Sequence, residues 1–185
     1  MSKLSQLFTG RPEDRRIEKE ERCYDFLDGL NIEYFRVDHD HADTIEECEE
    51  IEKTLGCRIC KNLLLTNRQQ TAIYLLAMPG KKPFKTKILS KQIGTARLSF
   101  ASEEQMLRSL DITPGSVSVL GLMNDKNKEV QLLIDKDLLG EKYFGCHPCI
   151  NTSTLKIKTE DVINKIIPTT EHSVEYVELP WKIEE

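Results

Sequence analysis

The chain has 185 residues, 39% of them hydrophobic and 31% charged, with a formal net charge of −5. That length suits one domain, spanning 1–185, with a full-sized core. The acidic balance argues against broad, non-specific nucleic-acid binding while leaving room for a local basic patch. Met1 to Gly10 holds no long apolar run and nothing later approaches a membrane span, so the expectation is a cytoplasmic chain without signal peptide or membrane anchor. Cys23, Cys48, Cys57, Cys60, Cys146 and Cys149 are then expected as reduced thiols or metal ligands, not as a disulfide frame.

Pro12 to Leu30 reads as a helix, with Ile17, Tyr24, Leu27 and Leu30 along one stripe. Tyr34 to Val37 is a short strand. His39 and His41 follow in a polar loop, where no third ligand stands near and no role is assigned. Thr44 to Glu47 is a capping box, and Ile45, Cys48, Ile51 and Leu55 recur at helical spacing until Gly56. Cys60–Thr66 and Ala72–Met78 are two strands of a hairpin.

Between Lys81 and Arg97 the charged residues are all basic: Lys81, Lys82, Lys85, Lys87, Lys91 and Arg97. Such a run is a solvated face or a phosphate-contacting edge. A short helix, Thr86 to Ile93, lies within it, and Arg97 to Phe100 makes a strand. Ser102 to Gln105 is a second capping box, opening a helix with Met106, Leu107 and Leu110. Pro114-Gly115 makes a tight turn, and Val117 to Met123 reads as an apolar strand. Val130 to Ile134 is a strand, Asp137 to Leu139 a helical piece, and Leu155 to Ile157 another strand. Glu160 to Ile167 reads as a helix and Val174 to Leu179 as a last edge strand. Without a strict βαβ rhythm, the expected class is α+β: a mixed sheet, curled toward a barrel, with helices packed outside.

The chemistry-bearing motifs are few. Cys57/Cys60 and Cys146/Cys149 are two C-x-x-C pairs, but far beyond zinc-ribbon spacing, so small buried thiols compete with a metal site. There is no G-x-S-x-G elbow, H-E-x-x-H or P-loop. His147 could partner Cys146 or Cys149, although adjacent residues on an extended segment point apart. Taken alone, Pro114-Gly115 is an ordinary turn before a core strand; equally, a glycine turn can offer main-chain N–H groups to an oxygen-rich ligand.

Three segments gain meaning together. Cys60-Lys61-Asn62-Leu63-Leu64-Leu65, Thr113-Pro114-Gly115-Ser116-Val117-Ser118-Val119 and His147-Pro148-Cys149-Ile150-Asn151-Thr152 resemble, in order, the three motifs of the YbaK/ProX family. These are freestanding aminoacyl-tRNA deacylases related to the editing insertion of bacterial prolyl-tRNA synthetase. The resemblance runs from about Phe35 to about Ile167 and is strongest to the alanyl-tRNA(Pro) deacylase type.

It implies hydrolysis of a mischarged aminoacyl-tRNA by backbone and substrate-assisted ester cleavage, with alanyl-tRNA(Pro) as substrate and cysteinyl-tRNA(Pro) as the rival. A non-catalytic aminoacyl-tRNA-binding module is the alternative from another class. The resemblance assigns the catalytic roles to Lys61, Gly115 and His147. Ile45, Asn62, Ser116, Asn151 and Thr152 are candidates for substrate binding, and Lys81, Lys82 and Lys85 for contact with the tRNA acceptor end. No metal or cofactor is implied, and the chain is expected to act as a monomer. The family's glycine loop commonly carries proline where this chain has Val119.

Overall fold

Strand β4 shows how the molecule is layered. In the computed structural model, which describes residues 3–184, β4 (Ile73–Pro79) is buried almost throughout. Ile73, Leu75 and Ala77 enter one hydrophobic cluster while Tyr74, Leu76 and Met78 enter another. A period of two in a strand with both faces covered produces that split. The first cluster is shared with a second sheet and a long helix; the second lies beneath a short helix.

The sheet containing β4 has five strands in the order β5 (Leu98–Phe100), β3 (Cys60–Asn67), β4, β6 (Val130–Asp135) and β9 (Val174–Val177). Its β3–β4 and β3–β5 pairs are antiparallel, whereas β4–β6 and β6–β9 are parallel. The other sheet is wholly antiparallel, ordered β1 (Phe8–Thr9), β2 (Tyr34–Asp38), β8 (Ser153–Lys158) and β7 (Tyr143–Cys146). The α+β class, the mixed sheet, the hairpin and the edge position of the last strand are as expected from sequence.

The two sheets meet where Ile59, just before β3, bridges Gly145 of β7. A Cβ on Gly145 would strike the Arg58 carbonyl, so the close approach needs glycine. This seam places the start of β3 beside the end of β7, and the candidate site grows from it.

Helix α1 (Glu18–Gly29) packs Cys23, Tyr24 and Leu27 into the first cluster. It begins later than Pro12 because the preceding arginines are drawn to its flank. The Arg16 amide donates to Glu21 at 2.7 Å and the Arg11 guanidinium donates to Asp25 at 2.9 Å. Its first turn carries Glu18, Glu20 and Glu21, as the positive end of a helix dipole favours. The expected capping boxes open α2 (Ile45–Leu55) and α4 (Glu103–Leu110), and Gly56 ends α2 in a left-handed conformation. Helix α3 (Thr86–Gln92) covers the second cluster through Leu89.

Two further expectations change. The apolar run 117–123 is not a strand: Val119–Asn124 is a 3-10 helix, opened by Ser118, whose hydroxyl accepts from the Leu120 amide. A continuous apolar run reports burial without fixing geometry, and serine can replace the ladder with a local bond. Packing is tight there, since a Cβ on Gly121 would lie 2.5 Å from Ile112 Cδ1. The closing helix, 159–169, comprises short helices α5 (Thr159–Asp161) and α6 (Ile167–Thr169) joined by a π turn over Val162–Ile166. Pro168 lacks the N–H that a regular turn would use. Among the described residues no helix is long and apolar enough to cross a membrane.

Candidate functional site

Lys61 stands at the mouth of β3, its burial intermediate, one residue after buried Cys60. Its Nζ donates to the Lys82 carbonyl at 2.7 Å. That carbonyl is within reach because Gly80 lets the β4 exit lie against β3: a Cβ there would sit 2.5 Å from the Ile59 oxygen. Burial lowers the Lys61 pKa, and no carboxylate among the described residues acts against that shift. A partly desolvated ammonium without an acidic partner is a receptor for an anion.

The glycine turn supplies a second element. Gly115 is exposed and has φ +85°, and a Cβ on it would also meet Asn151 Nδ2 at 3.3 Å. Ser116 closes the turn, its amide donating to the Thr113 carbonyl at 3.2 Å and its hydroxyl to the same oxygen at 2.8 Å. The amides of Gly115 and Val117, on either side of it, have no hydrogen-bond partner among the described residues. Such amides are the donors that a developing oxyanion needs.

His147 follows β7, and Cys149, with φ +60°, turns the chain back toward β8. His147 Nδ1 donates to the Ser153 carbonyl at 2.8 Å, so the ring is anchored from behind. Burial lowers its pKa and favours neutral imidazole.

Lys61, Gly115 and His147 line one cavity of about 330 Å³. Its wall also includes Asn62, Val117 and the α2 face bearing Ile45, Cys48, Glu49 and Glu52. Sequence reading singled out only Ile45 from that helix, and the structure leaves it 74% exposed at the rim. The helical spacing was the available signal, but it does not show which flank of α2 faces the glycine turn. Asn151 is buried against that turn, its Oδ1 without a partner. Ser116 and Thr152 are not on the cavity wall: Ser116 is spent within its turn, and the Thr152 carbonyl accepts from the His39 amide at 3.0 Å.

The basic run divides. Lys81 is on the cavity wall and pairs with Glu49 at 3.0 Å, while Lys85 is exposed. Lys82 is not a surface cation. It is 1% exposed and bonded to Asp135 at 2.8 Å and Asp137 at 2.9 Å, with the Trp181 ring 5.0 Å away. Burial pulls its pKa down, but the two carboxylates outweigh burial and leave it raised. Lys82 therefore cannot contact tRNA without unmaking a buried ion cluster, and the expectation that it would is corrected.

The thiols at this seam are poor nucleophiles. Cys48 and Cys60 line the cavity, and burial raises both pKa values, that of Cys60 well above its usual range. Burial likewise lifts Cys57 and Cys146 to about 12. An activated cysteine needs the opposite shift. All six cysteines are free, and no group of three or more His, Cys, Asp or Glu among the described residues is arranged to hold a metal.

Comparison with known proteins identifies the family. Residues 39–165 match the aminoacyl-tRNA editing domain family. The chain is 35% identical over 153 residues to the prolyl-tRNA editing protein ProX of Acetoanaerobium sticklandii, covering 83% of this chain and 93% of that protein. It is 30% identical to prolyl-tRNA synthetase associated domain-containing protein 1 of Danio rerio, covering 88% and 86%. A solved structure described as a candidate trans-editing enzyme for prolyl tRNA synthetase superposes with a TM-score of 0.64 at 14% identity, over 90% of this chain and 100% of that one, which supports the fold. The chain belongs to the aminoacyl-tRNA editing domain family.

Proposed function

We propose that this deacylase hydrolyses mischarged aminoacyl-tRNA in trans, with alanyl-tRNA(Pro) as its substrate, acting in the cytoplasm as a monomer. The observation that carries the reading is the convergence of Lys61, Gly115 and His147, from three distant stretches, on one cavity. In this reading Lys61 holds the phosphate or ribose of the terminal adenosine, with Asn62 beside it. The Gly115 and Val117 amides receive the ester oxygen as it becomes an oxyanion, and His147 borders the aminoacyl group. Attack comes from water positioned with help from the neighbouring ribose hydroxyl, since the cavity thiols stay protonated. Water oxygen adds to the carbonyl carbon, the carbon–oxygen bond to ribose breaks, and the proton that the water gives up ends on the departing ribose oxygen. The ester is already labile, so positioning and oxyanion stabilisation can supply most of the acceleration.

A proline-binding synthetase site rejects alanine poorly, because missing methylenes are worth only about 1–3 kcal/mol. A separate small cavity can admit alanine and exclude proline by size. The test is incubation with alanyl-, cysteinyl- and prolyl-tRNA(Pro), each followed by release of free amino acid, with Lys61→Ala as control. Fastest release from the alanyl ester, lost in the control, is expected. Preference for the cysteinyl ester would reassign the substrate, and no release from any of the three would overturn the reading.

A further inference from the structure

A second imidazole stands behind His147. His39, immediately after β2, is 7% exposed, and the two ring centroids are 6.1 Å apart. Between them lies the hydroxyl of Thr154, on β8 and fully buried. His39 Nδ1 is 2.7 Å from the Asp40 carbonyl, and His39 Nε2 is 2.8 Å from Thr154 Oγ1. Thr154 Oγ1 is in turn 3.4 Å from His147 Nδ1, the nitrogen that also meets the Ser153 carbonyl at 2.8 Å.

These contacts fix the order of protons. A carbonyl oxygen only accepts, so each ring carries a proton on Nδ1. In neutral His39, Nε2 is then a lone pair and takes the Thr154 hydroxyl proton. The Thr154 oxygen has only lone pairs left for His147. Both groups behind His147 thus demand a proton on Nδ1, and Nε2 remains the unprotonated nitrogen. Burial lowers the pKa of both rings and favours this neutral pair. Histidine free in water prefers the proton on Nε2, so the pocket reverses the intrinsic preference.

We propose that His39 and Thr154 are positioning residues that hold His147 as its Nδ1–H tautomer, so that Nε2 serves the cavity as a hydrogen-bond acceptor for an O–H or N–H group of the aminoacyl-ribose end. The identity of that donor rests on the deacylase reading; the tautomer does not. Removing the His39 ring frees the Thr154 hydroxyl proton to turn onto His147 Nδ1, where it competes with the Ser153 carbonyl for that nitrogen and shifts part of the His147 population to Nε2–H, closing the acceptor in that fraction. Removing the Thr154 hydroxyl as well takes away that competing donor.

The experiment is long-range proton–nitrogen NMR of the full chain labelled at histidine, at pH 8, paired with hydrolysis of alanyl-tRNA(Pro). Wild-type His147 is expected as the Nδ1–H tautomer. His39→Leu should move a measurable fraction to Nε2–H and lower kcat/KM in proportion to the Nδ1–H fraction lost, by at most about tenfold, the worth of one hydrogen bond. The double variant His39→Leu/Thr154→Val should restore both readouts. His39→Gln, whose amide oxygen can accept from Thr154, should resemble wild type, and it serves if the leucine variant does not fold. Wild-type His147 protonated on Nε2, or a folded His39→Leu with an unchanged tautomer, overturns the proposal. The expected tautomers without ester hydrolysis by wild type would support the proton order and refute the deacylase reading.

Discussion

The ammonium of Lys61 donates to the main-chain carbonyl of Lys82 at 2.7 Å, while the Lys82 side chain is locked between Asp135 and Asp137. One lysine thus aims another. Replacing Lys82 by methionine removes the cation that pairs with the buried Asp135, a change expected to cost about 3 kcal/mol. Urea denaturation measures the loss. Deacylation at equal concentrations of folded protein should also fall, because the loop presenting the Lys82 carbonyl is no longer clamped. Stability within about 0.5 kcal/mol of wild type would contradict the clamp.

Lys81 behaves differently although it is the neighbouring residue. It and Glu49 form a pair that is half open to solvent, and such pairs contribute about 0–1 kcal/mol. Lys81→Glu should fold as well as wild type to within about 1 kcal/mol. It should bind tRNA more weakly and with a shallower dependence of log affinity on log salt, by about one unit. A salt slope equal to wild type would show that this cation makes no phosphate contact.

Gly115 and Val119 sit four residues apart with opposite tolerances. Gly115→Ala forces a side chain into φ +85° and toward Asn151, costing about 1–2 kcal/mol. The alanine keeps its N–H, but relieving that strain misaims it; if this amide serves the oxyanion, deacylation should drop by up to about 100-fold, the worth of one lost donor, beyond the effect on stability. Val119 opens the 3-10 turn, where proline is at home because the first amide of a helical turn is not needed by its ladder. Val119→Pro should therefore keep the fold and most of the activity. Thermal melts and single-turnover rates on both variants check the contrast.

The histidines set a pH signature. Burial holds the pKa values of His39 and His147 below the usual 6.5. As pH falls below about 6.5 the unfolded chain takes up protons at these positions before the folded one does. Their linkage leaves stability unchanged above that pH and lowers it progressively below, down through the folded pKa values. Because neutral His147 persists in the fold below 6.5, the acid limb of kcat/KM that it governs should also lie below 6.5. A limb at or above 6.5 in that profile would contradict the assignment.

Much of this was readable from residue order alone. Capping boxes at Thr44 and Ser102 announce α2 and α4 because they are local chemistry, complete within four residues. The hairpin Cys60–Thr66 with Ala72–Met78 is equally local. What sequence could not show is long-range partnership. Lys82 looks like any surface lysine until Asp135, more than fifty residues away, is brought beside it by the parallel pairing of β4 and β6. His39 looked like loop polarity until β8 carried Thr154 to it. The segment 117–123 misled for another reason: an apolar run records burial, and Ser118 with its local bond to Leu120 chose the turn.

The central claim is that Lys61, the amides of the Gly115 turn and His147 act on one ester from one cavity. Single-turnover release of alanine from alanyl-tRNA(Pro), with wild type, Lys61→Met and Gly115→Ala measured side by side over a range of enzyme concentrations up to saturation, tests it most directly. The account predicts rapid release by wild type, a rate lower by up to about 100-fold for Gly115→Ala, and, for Lys61→Met, weakened binding in a protein at least as stable as wild type, because a desolvated charge has been removed. Wild-type release no faster than spontaneous hydrolysis, or full rates in both variants, would contradict it.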